Sequence, residues 1–354
     1  MERIRVLVVD DAVAFRRAVA QELGNDPMLD VVGTAANGRI ALARMQQVSP
    51  DIVILDVEMP EMDGLAFLKE VRKTYPRLPI IMFSALTERG AATTLDALAL
   101  GATDYFTKPA CAGGLEAALD IIRRELIPQI KALCAGALAR RSVPIANRYA
   151  AAPIAAPGQP SQRREVHVVA IGTSTGGPNA LAELFAQLPA DFPAPIVVVQ
   201  HMPPMFTRLL AERLTAKSRL RVHEGTSGAV LAPGQAWIAP GDYHMILTRD
   251  RAQVRLALHQ EPPENSCRPA ADVLFRSVAQ VYGGNALGVI LTGMGQDGLR
   301  GCETLRSAGA PILAQDEASS VVWGMPGAVA RAGLADRVLA LDLMADEIIR
   351  RAQK

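Results

Sequence analysis

At roughly 100–200 residues per domain, a chain of 354 residues divides into about two domains. Hydrophobic residues at 50% against charged residues at 21% exclude a largely disordered chain. Lys and Arg number 37 and Asp and Glu 36, so the net charge of +1 gives no global attraction to nucleic acid or anionic membrane. Cys111, Cys134, Cys267 and Cys302 lack metal spacing and are too sparse for a disulfide scaffold, which predicts reduced thiols. The opening run MERIRVLVVDD stops at two carboxylates without a cleavage site. No later apolar run approaches the ~20 residues of a membrane span, so the chain is expected in the cytoplasm, without membrane insertion.

In chain order, Val6–Val9, Ile52–Leu55 and Ile80–Phe83 are short β-branched-rich runs of the kind buried on both faces of a parallel sheet. Amphipathic stretches near 12–23, 39–47, 64–75 and 91–100 predict helices between and after them. Leu115, Ala118, Leu119, Ile122 and Leu126 recur at helical spacing, completing about five βα units. Residues 140–164 hold four prolines, five arginines and no acidic residue, without a sustained period, which is a linker composition. Beyond it, Val166–Ile171, Ile196–Val199 and Leu287–Leu291 read as buried strands, with helices near 178–188, 205–217, 270–281 and 298–308. The alternating segments Ala236–Ala239, Met245–Thr248 and Val254–Leu256 are expected to form an antiparallel hairpin insertion.

Two constellations carry chemistry. Asp10 and Asp11 follow one predicted strand and Asp56 another, so a parallel sheet brings all three to its carboxyl edge. Three carboxylates in one crevice repel unless a hard cation joins them, and Mg²⁺ meets that need. Ser84 and Lys108 close further strands, placing a hydroxyl and an ammonium where a phosphoryl group on Asp56 would develop charge. Taken singly, each residue reads as an ordinary strand-to-helix polar group or a helix cap.

VVDD (8–11), PDIVILDVEMPEMDG (50–64), FSALTERG (83–90) and GATDYFTKP (101–109) together resemble the receiver domain of two-component response regulators. The resemblance implies a five-stranded parallel, flavodoxin-like domain with Asp56 as phosphoacceptor. Asp10, Asp11, Asp56 and the backbone carbonyl of Glu58 would bind Mg²⁺, and Ser84, Tyr105 and Lys108 would be the switch residues.

The second constellation begins at IGTSTGGP (171–178). Ser174 stands between glycines after a predicted strand and before a helix opened by Pro178. Gly172 to Gly176 fits the G-x-S-x-G nucleophile elbow. A phosphate-cradling loop is a competing reading, although the Lys-Ser/Thr ending is absent, and so is a plain glycine-rich turn with a capping serine. His201 in VVVQHMPP and Asp297 in VILTGMGQDG follow further strands. A hydroxyl nucleophile needs an imidazole to take its proton and a carboxylate to fix that imidazole, and three strand ends can bring them together. Of the other histidines, His167 is expected to pack within a strand, while His223 and His259 lie in polar stretches. His244 in APGDYHM is a candidate for a substrate-side role.

IGTSTGGP, QHMPPMFT (200–207), WIAPGDYHM (237–245), RPAADVLFRS (268–277), LTGMGQDG (291–298) and AQDEASSVVWGMP (314–326) resemble the catalytic domain of the CheB family of chemotaxis protein-glutamate methylesterases. Receiver, linker and catalytic domain stand in that family's order. The resemblance implies a receiver at 1–125, a helix end and linker at 126–164, and a doubly wound, mostly parallel α/β catalytic domain at 165–354. It further implies a Ser174–His201–Asp297 triad, the Met294 N–H as oxyanion donor and Thr175 as active-site support. Cys267 stands where many members carry histidine, and no role carries over to it.

The implied activity is hydrolysis of glutamyl γ-methyl esters on methyl-accepting chemotaxis receptors, with deamidation of receptor glutamines. A chemotaxis-type histidine kinase would be the phosphodonor. Hydrolysis would need no cofactor, Mg²⁺ would serve phosphorylation alone, and the chain would act as a monomer with the unphosphorylated receiver covering the catalytic site. The rival readings are a non-catalytic regulator, against which Ser174, His201 and Asp297 argue, a DNA-binding regulator, for which no basic helix-turn-helix follows the linker, and an unrelated small-molecule esterase.

Overall fold

A computed structural model of the chain describes residues 3–85, 87–109, 114–142, 165–251 and 253–353. Cys111 and residues 143–164, most of the predicted linker, lie outside the described residues. The chain forms two compact units, Met1–Ala152 and Pro153–Lys354.

The first unit runs β1 (Ile4–Val9), α1 (Val13–Gly24), β2 (Leu29–Ala35), α2 (Gly38–Val48), β3 (Ile52–Asp56), α3 (Gly64–Thr74), β4 (Ile80–Ser84), α4 (Glu88–Ala99) and β5 (Asp104–Thr107). All strands pair in parallel, in the order β2-β1-β3-β4-β5. Continuous apolar runs form β1, β3 and β4 because both faces are covered. Val6, Val8, Ile52, Ile54, Ile81 and Phe83 are buried in one core, where Phe83 lies between Phe15 and Phe106. A fully buried side chain of this kind contributes roughly 1.5–3 kcal/mol. Asn37, Asp63 and Thr87 cap α2, α3 and α4 by accepting the N–H groups of Ile40, Ala66 and Gly90.

After β5 the chain runs through α5 (Gly114–Ile121), a π-helical turn at Ile122–Leu126 and α6 (Ile127–Ser142). Pro128 stands two residues past the end of the π turn, where a missing N–H and the bulk of the ring disturb the preceding carbonyls. Leu126, Ile127, Ile130 and Cys134 stay buried against the core of the first unit, so this helix packs there well past residue 125. Arg123–Glu22 at 2.8 Å and Lys131–Asp26 at 2.7 Å pin it to α1 and the turn that follows.

The second unit runs β6 (Val168–Thr173), α7 (Gly177–Gln187), β7 (Ile196–Gln200), α8 (Phe206–Lys217), β8 (Arg221–Glu224) and β9 (Gln235–Ile238). There follow β10 (His244–Asp250), β11 (Gln253–His259), α9 (Ala271–Tyr282), β12 (Ala286–Ile290), α10 (Leu299–Ser307), β13 (Ile312–Gln315), α11 (Met325–Arg331), β14 (Arg337–Leu339) and α12 (Leu341–Ala352). Seven strands pair in parallel, in the order β14-β13-β12-β6-β7-β9-β8. The chain leaves β6 toward β7 and leaves β12 toward β13 in the opposite direction. Right-handed crossovers therefore place α7 and α10 on opposite faces and open a crevice between the carboxyl ends of β6 and β12.

Two expectations are corrected here. Only β10 and β11 make the antiparallel hairpin, whereas the segment at 236–239 joins the main sheet as β9, parallel to β7, because its alternating residues are buried against that sheet. His167 precedes β6 rather than packing inside it. Its side chain is 49% exposed and lies 3.3 Å from Glu165.

Candidate active site

The first unit gathers its carboxylates where sequence reasoning places them. Asp10 follows β1 and Asp56 ends β3, and with Asp11 they bring carboxylate oxygens within 4.8 Å of one another. Lys108 Nζ stands 2.8 Å from Asp10 Oδ2 and 2.7 Å from Asp56 Oδ2. Burial pushes the Asp56 carboxyl up to about 6; Lys108 opposes that shift, while Asp10 and Asp11 add to it. Burial also pulls on the Lys108 ammonium, but the two carboxylates raise it above its ordinary value. Asp10 Oδ2 is buried without an aligned hydrogen bond despite the nearby ammonium. A buried anionic oxygen and two further carboxylates that share one ammonium suit a hard cation with oxygen ligands, so the residues present fit Mg²⁺.

Gly64 lets α3 start against this site, since a Cβ there would lie 2.3 Å from the Asp56 carbonyl oxygen. The Ser84 hydroxyl accepts from Thr94 Oγ1 at 2.6 Å and donates to the Gly90 carbonyl, so it is turned toward α4. Burial, reinforced by Asp104, pushes the half-buried Tyr105 phenol well up. Glu58 and Asp11 line one groove with Asp63, Arg89 and Thr93.

In the second unit, Ser174 leaves the end of β6 and Pro178 opens the first turn of α7. The turn is sharp because Gly176 takes φ +78°, and a Cβ on Gly177 would lie 1.9 Å from Gln200 Oε1. Ser174 N–H donates to the Thr292 carbonyl at 3.0 Å, and Gln200 Nε2 donates to the Ser174 and His201 carbonyls at 3.0 and 3.2 Å. The loops after β6, β7 and β12 are thereby tied together.

His201 Nε2 lies 2.8 Å from Asp297 Oδ2. Asp297, 2% exposed, sits at the N-terminus of α9. It accepts the N–H groups of Ala271 at 2.6 Å, Asp272 at 3.1 Å and Gly298 at 3.0 Å, and Asn265 Nδ2 at 2.9 Å. Burial alone would raise the Asp297 carboxyl. These donors, His201 and the helix terminus outweigh burial and hold it below the ordinary value. Its anionic form fixes the imidazole proton on Nε2. For His201 burial pulls downward, and Asp297 with the Cys267 sulfur pushes it up to about 10.

The nitrogen left over is Nδ1, and Cys267 Sγ lies 3.5 Å from it. Among the described residues, the Ser174 hydroxyl forms no hydrogen bond to His201. The Thr175 carbonyl accepts from Thr292 Oγ1 at 2.9 Å. Met294 is 37% exposed, and its N–H meets no protein acceptor among the described residues.

His244 is not a substrate-side group. It is 1% exposed, its Nδ1 accepts the Ala270 N–H at 3.3 Å, and its Nε2 donates to the Pro262 carbonyl at 3.2 Å. Burial lowers its pKa, so it is a neutral brace for the loop before α9. Gln200, Asn265 and Asp272 escape sequence reasoning. Asn265 Nδ2 bridges Asp297 and Asp272, and Asp272 accepts the Gly301 N–H at 2.6 Å. The Asn-Ser pair before Cys-Arg-Pro signals a loop but names no acceptor.

Fold and sites together define a class of protein: a response-regulator receiver joined to a hydrolase domain built on a mostly parallel sheet. The response regulator receiver domain family matches residues 6–120 and the CheB methylesterase family residues 169–348. The chain belongs to the CheB methylesterase family. It is 54% identical over 99% of its length to a protein-glutamate methylesterase/protein-glutamine glutaminase of Trichodesmium erythraeum, with 99% of that protein covered. Identity is 50% over 99% of the chain and 96% of the counterpart from a Nocardioides species. The crystal structure of the Thermotoga maritima CheB methylesterase catalytic domain matches 52% of the chain and 98% of that domain, with TM-score 0.52 and 42% identity. Among the described residues no helix is long and apolar enough to cross a membrane.

Proposed function

We propose that the chain is a phosphorylation-stimulated serine hydrolase acting in the cytoplasm. It removes methyl groups from glutamyl γ-methyl esters of chemoreceptors, releasing methanol, and deamidates specific receptor glutamines. The observation that carries this reading is the 2.8 Å pair of His201 and Asp297 beside the glycine-bounded turn of Ser174.

Asp297 keeps the imidazole oriented with its proton on Nε2. Ser174 Oγ attacks the ester carbonyl while its proton passes to His201 Nδ1, and the Met294 N–H donates to the developing oxyanion. His201 returns the proton to the departing methoxide, and methanol leaves. Water then attacks the acyl-serine, giving a proton to His201, which passes it to Ser174 Oγ as the glutamate leaves. With glutamine the first leaving group is ammonia. Thr175 supports the turn through its carbonyl. Because His201 is pushed up to about 10, it is short of its neutral form near pH 7, so the rate rises as pH rises above the ordinary histidine value of 6.5.

In the receiver, taken as residues 1–125 ahead of a helix end and linker at 126–164 and the hydrolase at 165–354, Asp56 accepts the phosphoryl group from a chemotaxis-type histidine kinase. The Asp10, Asp11 and Asp56 carboxylates and the Glu58 carbonyl would hold Mg²⁺, which supplies charge neutralisation when bound. Phosphorylation adds about −1.5 to −2 charges, and Lys108, Ser84 and Tyr105 respond to it.

The test is methanol release from methyl-esterified chemoreceptor by the full chain, with and without a small acyl phosphate. Release that the acyl phosphate increases in the native chain but not in Asp56→Asn supports the reading. No methanol under either condition overturns it.

A further inference from the structure

Nothing in the triad scheme accounts for the thiol at His201. The imidazole has two nitrogens, and Asp297 holds one of them with a carboxylate that four other donors keep anionic. The other is the nitrogen that must take the Ser174 proton, and Cys267 Sγ lies 3.5 Å from it. The sulfur is held there. Cys267 and Glu264 exchange backbone hydrogen bonds at 2.8 and 3.1 Å, Asn265 reaches Asp297, and Arg268 donates to Asp242 and to the carbonyls of Gln260 and Glu261. The same loop therefore orients both the carboxylate and the sulfur around one imidazole. A thiol hydrogen-bonded to an imidazole that is backed by a carboxylate is the setting in which a proton moves from sulfur to nitrogen.

We propose that Cys267 is a positioning residue for this hydrolase: its sulfur shares the proton on His201 Nδ1, favours the imidazolium form and so sets when Ser174 has a base. This rests on Ser174 and His201 acting as nucleophile and base. The groups facing His201 are Asp297 from the loop after β12 and Cys267 from the loop before α9. Behind them stand Asp272, Glu264 paired with Arg276, and Arg300. Of the two that touch the ring, Asp297 also serves catalysis directly. Removing Cys267 is therefore the change that alters proton affinity while leaving the triad intact.

The experiment follows methanol release by the full chain with acyl phosphate from about pH 6 to about pH 10, comparing native protein, Cys267→Ala, Cys267→Ser and Ser174→Ala. Both Cys267 variants are expected to shift the acid limb of kcat/KM to lower pH by about one unit, giving roughly tenfold faster turnover near pH 7, with the change in kcat and little in KM. Limbs that coincide with the native one, or move to higher pH, overturn the proposal. Ser174→Ala separates the two readings: normal turnover by it refutes the nucleophile assignment, independently of the limb positions.

A second measurement needs no turnover. Iodoacetamide alkylation of Cys267, followed by peptide mass, forms a carbon–sulfur bond as iodide leaves and the thiol proton is lost. Alkylation near pH 7 is expected to be at least about tenfold faster in the native chain than in His201→Gln. Equal rates overturn the proposal.

Discussion

The two units place their functional carboxylates at equivalent points of parallel sheets and treat them oppositely. Asp56 ends β3 and Asp297 follows β12, each strand adjoining the first strand of its unit across the point where the winding reverses. Asp56 shares its crevice with two other carboxylates and one ammonium, and is pushed up to about 6. Asp297 accepts from three backbone N–H groups, an amide and an imidazole, and is held low despite deeper burial. Position in the fold therefore selects the crevice, and the donors that line it select the charge state. The first site is left with an excess of negative charge, whereas the second has its anion fixed against an imidazole.

The strongest way to break this contrast is to neutralise the satisfied carboxylate. Asp297→Asn removes the anion behind His201 and turns an amide toward donors, and kcat for methanol release is expected to fall about 10³–10⁴-fold. A drop of less than tenfold would show that the pair is not part of the relay.

Neutralising Asp56, whose charge burial opposes, is read in stability. The folded receiver binds the Asp56 proton more tightly than the unfolded chain does, so its stability falls as pH rises from 3.8 to about 6 and stays reduced above that. Asp56→Asn is expected to stabilise the full chain at pH 7 by on the order of 2–3 kcal/mol, with the difference vanishing below about pH 4 and narrowing on addition of Mg²⁺. Denaturant unfolding of both proteins across this range checks it, and destabilisation at pH 7 would contradict it.

A smaller change sharpens the comparison by removing one donor. Asn265→Ala takes one of three donors from Asp297 Oδ1 and the amide donor from Asp272 Oδ2, a loss of ~1.5–3 kcal/mol. The expected effect is a roughly tenfold or greater fall in kcat with little change in KM. A fall confined to KM would place Asn265 at the substrate instead.

The legible parts of the molecule are those where one residue type at a strand end has few alternatives. VVDD and ILD bring Asp10, Asp11 and Asp56 together, and the loops carrying Ser174, His201 and Asp297 converge as their strands predict. Strand β2 is harder to see because LDVVGTA is half-buried and holds Asp30, Gly33 and Thr34 among its apolar residues. Strand β14 is three residues long and mostly exposed. The segment Ala236–Ala239 alternates like a hairpin strand yet belongs to the main sheet, since alternation reports burial of one face and not the partner strand. Asn265 and Cys267 act through a loop whose path is set by Arg268, Asp242 and the carboxylate it encloses, contacts that have no sequence period.

The central claim is that the Ser174 hydroxyl is the nucleophile, and it is tested most directly by methanol release from Ser174→Ala with acyl phosphate present, on protein shown to be folded by its unfolding transition. The account predicts release at the uncatalysed background, while release at the native rate would contradict it.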